Sequence, residues 1–170
     1  MSLEKIHNCN IVLLGGLYGS GKTEFAAKHF MNRKRYRISR LEIRKLIYEM
    51  TNFGNKWSGD KFSEEDDVLV KHVERKIIEH YIHNKRNVLV INTFTSIESR
   101  TRFINIAKDM GKTIGIVFLD VPLDICIKNN EGKPSVVPGY ILQNLSNKKV
   151  VPTKKEPFSE IVVLTDPNAV

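Results

Sequence analysis

Near the start of the chain, Gly16-Leu17-Tyr18-Gly19-Ser20-Gly21-Lys22-Thr23 completes the pattern G-x-x-x-x-G-K-[ST]. The apolar run Ile11-Val12-Leu13-Leu14 leads into it and a helix-like stretch follows, the strand–loop–helix setting in which this pattern wraps a phosphate. Glycines let the backbone curl tightly enough for successive N–H groups to point inward at a β-phosphate, where a side chain would block the approach. Lys22 is placed to bridge the β- and γ-phosphates. Thr23 opens the helix, so its hydroxyl can ligate Mg²⁺ while the helix N-terminus adds partial positive charge. The motif predicts a nucleoside triphosphate binder, with ATP and Mg²⁺ as the expected ligands and Thr23 as the metal ligand.

The chain has 170 residues, 41% of them hydrophobic, which predicts one domain over 1–170 with a substantial core. No apolar stretch approaches bilayer length, and Met1-Ser2-Leu3-Glu4-Lys5 lacks the apolar centre of a signal peptide, so the expectation is a cytoplasmic protein without a membrane partner. Cys9 and Cys126 show no metal-ligand spacing and read as reduced core residues. A formal net charge of +8 favours polyanionic ligands, which admits a nucleic-acid acceptor alongside a merely basic surface. The cations concentrate in Arg33-Lys34-Arg35-Tyr36-Arg37 and then Arg40, Arg44 and Lys45, which flank the expected active-site edge.

Strands are expected at Ile11 to Leu14, Tyr36 to Ser39, Val88 to Ile91, Ile114 to Leu119 and Ile161 to Leu164, each a short run bounded by turn residues. Between them, Glu42 to Met50 places Ile43, Leu46, Ile47 and Met50 on one helical face, and the helix opened by Ser63 carries a Leu69, Val70, Val73, Ile77 and Tyr81 stripe. Residues 51–62 read as a loop anchored by Trp57. Ile97 to Met110 reads as a helix closed by Gly111, and Pro122 and Pro138 each open a short helix. Alternating strands and helices imply an α/β fold of the P-loop NTPase, nucleotide-kinase-like kind: a mainly parallel sheet, helices on both faces, and the ligand at the carboxyl ends of the strands.

The phosphate loop, the Tyr-Arg-Ile-Ser-Arg-Leu-Glu-Ile-Arg segment ending at Arg44, the Val-Leu-Val-Ile-Asn-Thr-Phe-Thr segment ending at Thr95, and Phe118-Leu119-Asp120-Val121-Pro122 together resemble the kinase domain of the polynucleotide kinase family. The tail Lys155-Glu156-Pro157-Phe158-Ser159-Glu160 is similar to the family's segment before its last strand. The resemblance implies transfer of the ATP γ-phosphate to a polynucleotide 5′-hydroxyl, and it implies contact of Arg44 with the acceptor's 3′-phosphate. Three departures stand out. The family's base, an aspartate after the second strand, is Leu41 here with Glu42 beside it. The usual Asp-Thr ending the third strand is Asn92-Thr93. The lid arginines are replaced by Lys128 and Lys133, which carry charge without the bidentate fork.

Individual residues keep two readings. Glu42 is a general base or a first-turn acid favouring its helix N-terminus. Arg40 and Arg44 contact phosphate or pair with Glu42. Asp120 caps the helix after Pro122 or holds Mg²⁺ through water, with the cap preferred. Arg100 and Arg102 read as solvated, and Phe94 and Trp57 as core or anchor rather than base-stacking residues. The candidate catalytic set is therefore Lys22, Glu42, Arg44 and Arg40. Against the 5′-hydroxyl kinase stand a kinase of a small molecule, such as a nucleoside, sugar or antibiotic, and an ATP-binding module with weak or absent catalysis.

Overall fold

The structure is a computed structural model that describes residues 3–133 and 136–170. In chain order its elements are α1 (Leu3–Ile6), β1 (Ile11–Gly16), α2 (Lys22–Phe30), β2 (Arg35–Ser39), α3 (Arg40–Thr51), a 3-10 turn (Gly59–Lys61), α4 (Glu64–His83), β3 (Asn87–Ile91), α5 (Ile97–Asp109), β4 (Ile114–Leu119), α6 (Leu123–Glu131), α7 (Gly139–Lys148) and β5 (Glu160–Leu164). The strands form one sheet in the order β2-β3-β1-β4-β5, every neighbouring pair parallel. Strand β1 lies at its centre, with Ile11 opposite both Val88 and Ile114.

Because side chains alternate across a strand, β1 feeds two cores. Ile11 and Leu13 join Ile38, Val70, Ile78 and Phe103 beneath α3, α4 and α5. Val12 and Leu14 join Ile6, Phe25, Phe30, Cys126 and Leu142 beneath α1, α2, α6 and α7. The parallel sheet covered on both faces is the architecture expected from the sequence, and it brings the carboxyl ends of β1, β3 and β4 together at one edge. Both cysteines are buried and free.

Two amphipathic faces differ from the expected ones. On α3, Ile43 and Ile47 are buried, but Leu46 and Met50 remain 65% and 68% exposed. On α4 the buried line is Val70, Glu74, Ile78 and Ile82, with Leu69 facing outward and Val73, Ile77 and Tyr81 only partly covered. The physical reason is polar: one register of α4 places an acid where arginines from two neighbouring helices meet it. Glu74, fully buried, accepts from Arg40 Nη2 at 2.7 Å and Nε at 3.2 Å, and from Arg102 Nη1 at 3.2 Å. Arg44 Nη2 reaches Asp67 at 2.6 Å, two turns nearer the start of α4. Arg100, expected in solvent, is likewise fully buried: it grips Glu156 with Nε at 2.7 Å and Nη2 at 2.8 Å, and donates to the Phe94 and Val150 carbonyls. It thereby staples the β3–α5 loop to the segment that leads down to β5.

Removing one member of a buried ionic cluster leaves its partners dehydrated and unpaired. Glu74→Ala is expected to destabilise the domain by roughly 2–4 kcal/mol, lowering the melting temperature by about 5–15 °C in a circular-dichroism melt. A melting temperature within error of wild type would show that water screens the cluster and that it does not join α3, α4 and α5.

Candidate functional site

The phosphate loop closes where β1 runs out. Gly16 N donates to the Thr93 carbonyl at 2.9 Å, which ties the loop to the end of β3, and Ser20 N turns back to the Leu17 carbonyl at 3.1 Å. Gly16, Gly19 and Gly21 have φ of 143°, 80° and 87°, the region that glycine enters without steric cost. Gly19 has a second constraint. A Cβ there would lie 2.2 Å from the Cys126 carbonyl oxygen, because the loop presses against the backbone of α6, and Asn129 Nδ2 fastens the same residue through its carbonyl at 3.0 Å.

Inside the loop, the Ser20 hydroxyl is buried without a hydrogen-bond partner. Helix α2 begins after Gly21 with no side-chain cap, so its first N–H groups face the loop unclaimed. An orphaned hydroxyl and uncapped donors in one concave turn are complementary to a phosphate. Leu17 is buried and Tyr18 half-buried, with the Lys22 ammonium 5.8 Å from the Tyr18 ring centre. Lys22 Nζ itself donates to the Gly16 carbonyl at 2.9 Å and the Leu17 carbonyl at 2.7 Å. Desolvation, with added repulsion from Lys133, pushes its ammonium down to about 7. Thr23 is exposed at the first turn, where its hydroxyl could ligate Mg²⁺ held by a bound triphosphate. Among the described residues no group of three or more His, Cys, Asp or Glu could hold a metal ion by itself.

Around this cradle the remaining candidates are engaged elsewhere. Arg40 and Arg44 point into α4, toward Glu74 and Asp67. Glu42 stands 61% exposed in the first turn of α3, where Arg37 Nη2 contacts both its oxygens at 2.8 and 3.0 Å; its main-chain N–H is capped by Ser39 Oγ at 3.4 Å. Leu41 is half-buried beside it. Asn92 uses its side-chain oxygen to accept from Thr93 N at 2.8 Å, bracing the loop at the end of β3. Asp120 is not the helix cap that its position suggested: Pro122 is the N-cap residue of α6 with no side-chain bond, and Asp120 takes the Lys149 ammonium at 2.6 Å. Phe94 is core, packed edge-on to Phe103 at 5.2 Å. Half-buried Trp57 lines a small cavity with Tyr48 and Phe62, and its main-chain N–H donates to Glu49 Oε1 at 3.5 Å.

The family model described as AAA domain matches residues 11–138, from the first residue of β1 to the N-cap of α7. The chain belongs to this family. The fold is the P-loop NTPase kinase-like one, and solved structures share it. A candidate kinase from Chloroflexus aurantiacus J-10-fl matches with a TM-score of 0.72 at 11% identity, over 95% of this chain and 91% of that one. A gluconokinase from Sinorhizobium meliloti 1021 gives 0.60 at 15% identity, covering 91% and 81%. A chain of the Pnkp1/Rnl/Hen1 RNA repair complex gives 0.66 at 17% identity, covering 81% of this chain and 43% of that one. At such identities these likenesses speak for the fold alone. No curated protein matches the sequence.

Two expectations follow from the loop. A bound triphosphate restores the charge on Lys22, so binding takes up a proton wherever the empty loop holds the neutral amine. Below about pH 7 the ammonium is already charged and no uptake occurs; above it, affinity falls as pH rises. Calorimetric titration with Mg²⁺-ATP at about pH 8, in buffers of different ionisation enthalpy, should report uptake near one proton, and at about pH 6 little. Gly19→Ala is expected to abolish Mg²⁺-ATP binding, since the methyl group meets the α6 backbone; wild-type affinity would mean that α6 yields.

Proposed function

We propose that the protein is an ATP-dependent phosphotransferase that moves the γ-phosphate to a hydroxyl acceptor, and that the acceptor is a polynucleotide 5′-hydroxyl. The observation that carries the phosphotransferase reading is the cradle: an orphaned Ser20 hydroxyl, an uncapped helix start and the inward-folded Lys22 in one glycine turn. Phosphoryl transfer asks a protein mainly for alignment and charge neutralisation. Lys22 leaves the Gly16 and Leu17 carbonyls to meet the β- and γ-phosphates, and the loop N–H groups orient them. Thr23 would hold Mg²⁺, which supplies further neutralisation of the transferring group when bound. Glu42 accepts the proton of the attacking hydroxyl after exchanging its Arg37 contact, and Arg44 turns from Asp67 to the acceptor's phosphate. The acceptor assignment is supported by the resemblance to polynucleotide kinases in the segments around Arg44, Asn92 and Asp120, and by the shared fold with a chain of an RNA repair complex.

Two observations support other outcomes. Arg37, Arg40 and Arg44 are each neutralised by a carboxylate, so no open basic track leads to the cradle from β2, which suits a small acceptor such as a sugar or nucleoside. Leu41 and Asn92 stand where the family has carboxylates, which suits a module that binds ATP without transferring phosphate.

Labelled γ-phosphate offered with a 5′-hydroxyl oligonucleotide, nucleosides and sugars separates the three. The expected product is the 5′-phosphorylated oligonucleotide, lost in Lys22→Ala together with ATP affinity. In Glu42→Gln, turnover should fall by about two to four orders of magnitude at unchanged nucleotide affinity. Labelling confined to a small molecule overturns the polynucleotide assignment. No labelling by a protein that binds Mg²⁺-ATP establishes the module, and a gain of kinase activity in Leu41→Asp would then identify the missing base.

A further inference from the structure

The cations that the sequence gathers near β2 are spent inside the fold. Arg35 is enclosed by the His7, Cys9, Asn10 and Val88 carbonyls at 2.8–3.2 Å, and Arg33, Arg37, Arg40 and Arg44 each pair with an acid. A group of cations outside these pairs lies at the opposite edge of the sheet, where the strands begin. Pairing of Arg35 with Asn87 brings Lys34 alongside Lys85 and Arg86, and the bonds from Asn10 to Asn87 and to Thr113 bring Lys112 into the next loop of the same edge. All four cations are exposed, and among the described residues none makes an ion pair. The acids nearest them in the chain, Glu79 and Asp109, are held by Arg75 and Lys76. Beside this edge Tyr36 stacks on Tyr81 with ring centres 4.0 Å apart, and Tyr36 keeps 40% of its surface exposed.

Backbone geometry gives an independent sign that the lysines are placed for a purpose other than folding. Helices α4 and α5 stop in the same way. The residue after the cap has positive φ and donates three residues back, and its successor donates five residues back: Lys85 to Ile82 and Arg86 to Tyr81 in one, Gly111 to Lys108 and Lys112 to Ala107 in the other. Glycine fills the left-handed position after α5, as the motif prefers. Lysine fills it after α4 with φ 58°, and Lys34 adopts φ 53° just before β2. Both positions carry a steric cost that glycine would relieve, in adjacent turns of one edge.

We infer that this strand-start edge, Lys34, Lys85, Arg86 and Lys112 with the Tyr36–Tyr81 stack, is a docking surface for single-stranded nucleic acid. The lysines and arginine meet successive phosphates, and the exposed tyrosine face takes a base, the combination by which single strands are held without sequence preference. Strand β2 runs about 16 Å from this surface to the start of α3. The inference holds whichever acceptor is phosphorylated, because binding is measured without nucleotide.

The test uses fluorescence anisotropy of labelled oligo(dT) and oligo(rU) across a salt series, with the whole chain as wild type, Lys34→Gly/Lys85→Gly and Tyr36→Leu. Replacing the lysines by glycine removes strain as well as charge, so the double variant should melt about 2–6 °C higher while binding at least about tenfold more weakly. Its slope of log affinity against log salt should be shallower by about 1.4, for two lost phosphate contacts. Tyr36→Leu should weaken binding about fivefold or more with the slope unchanged. Unchanged affinity in the glycine variant overturns the surface. Equal affinity of wild type for polyglutamate, or no effect of Tyr36→Leu, overturns nucleic acid as its occupant. Because Lys22 and the phosphate loop are intact in every variant, unchanged oligonucleotide affinity in the variants marks failure of this surface, and absence of phosphate transfer by wild type marks failure of the kinase reading.

Discussion

A lysine ammonium held by main-chain carbonyls alone is the interaction on which the organisation of this molecule turns. Lys22 has no hydrogen-bonded carboxylate; the Gly16 and Leu17 carbonyls take it at 2.9 and 2.7 Å, within a loop pressed against α6. Such a cation is poorly solvated, and its depressed pKa expresses that. The loop is therefore an electrostatically unfinished object whose completing group is a polyanion. The rest of the fold supplies the rigidity that keeps it unfinished. Strand β1 is buried along its whole length, the Thr93 carbonyl fixes Gly16, and α6 forbids a side chain at Gly19. A softer frame would let the loop collapse around the lysine and lose the cradle.

The phosphate loop and the positions of the strands along the chain were legible in the sequence because both are local. A strand, a glycine turn and a helix start lie within a short stretch, and apolar runs bounded by turn residues mark buried parallel strands wherever they occur. What could not be read were the long-range polar partners. Glu74 looks like one more acid on an exposed helix, and only the fold brings it to Arg40, 34 residues away, and Arg102, 28 residues away. The same cluster explains why the apolar stripe on α4 was assigned one face too far round: Leu69 and Tyr81 are the more hydrophobic choice, yet the helix turns so that Glu74 is satisfied. Arg100 and Glu156 make the same point across 56 residues. An acid three residues after a serine was a sufficient signal for the start of α4, and Ser63 does accept from Asp66 N at 3.1 Å.

The basic run after α2 shows how composition misleads about surfaces. Its positive charge is real in the sequence, but five of its arginines are consumed by carbonyls or carboxylates, which costs each of them its reach. Near the cradle this produces a set of exchangeable pairs. Arg37 with Glu42, and Arg44 with Asp67, hold acid and cation together. The Arg37–Glu42 pair is exposed and worth little in stability, so exchange there is cheap, whereas Arg44 and Asp67 are mostly covered. The Glu74 cluster differs, because a buried acid cannot be abandoned by both its arginines without a large penalty. Arg37 is consequently freer than Arg40 to leave its carboxylate.

Charge is thus sorted by position along the strands. At the carboxyl end of β2, Arg37, Arg40 and Arg44 are matched by acids. At the strand-start edge Lys34, Lys85, Arg86 and Lys112 make no ion pair among the described residues, and Lys34 and Lys85 hold left-handed backbone. A net charge of +8 supplies a long-range attraction of the whole molecule for polyanions. Screening sharpens the division. Over a Debye length of about 8 Å at physiological ionic strength, the two edges, separated by a strand length of about 16 Å, behave as independent sites rather than one continuous field. Any coupling between them must therefore run through an occupant long enough to touch both, a condition that a polynucleotide meets and a mononucleotide does not.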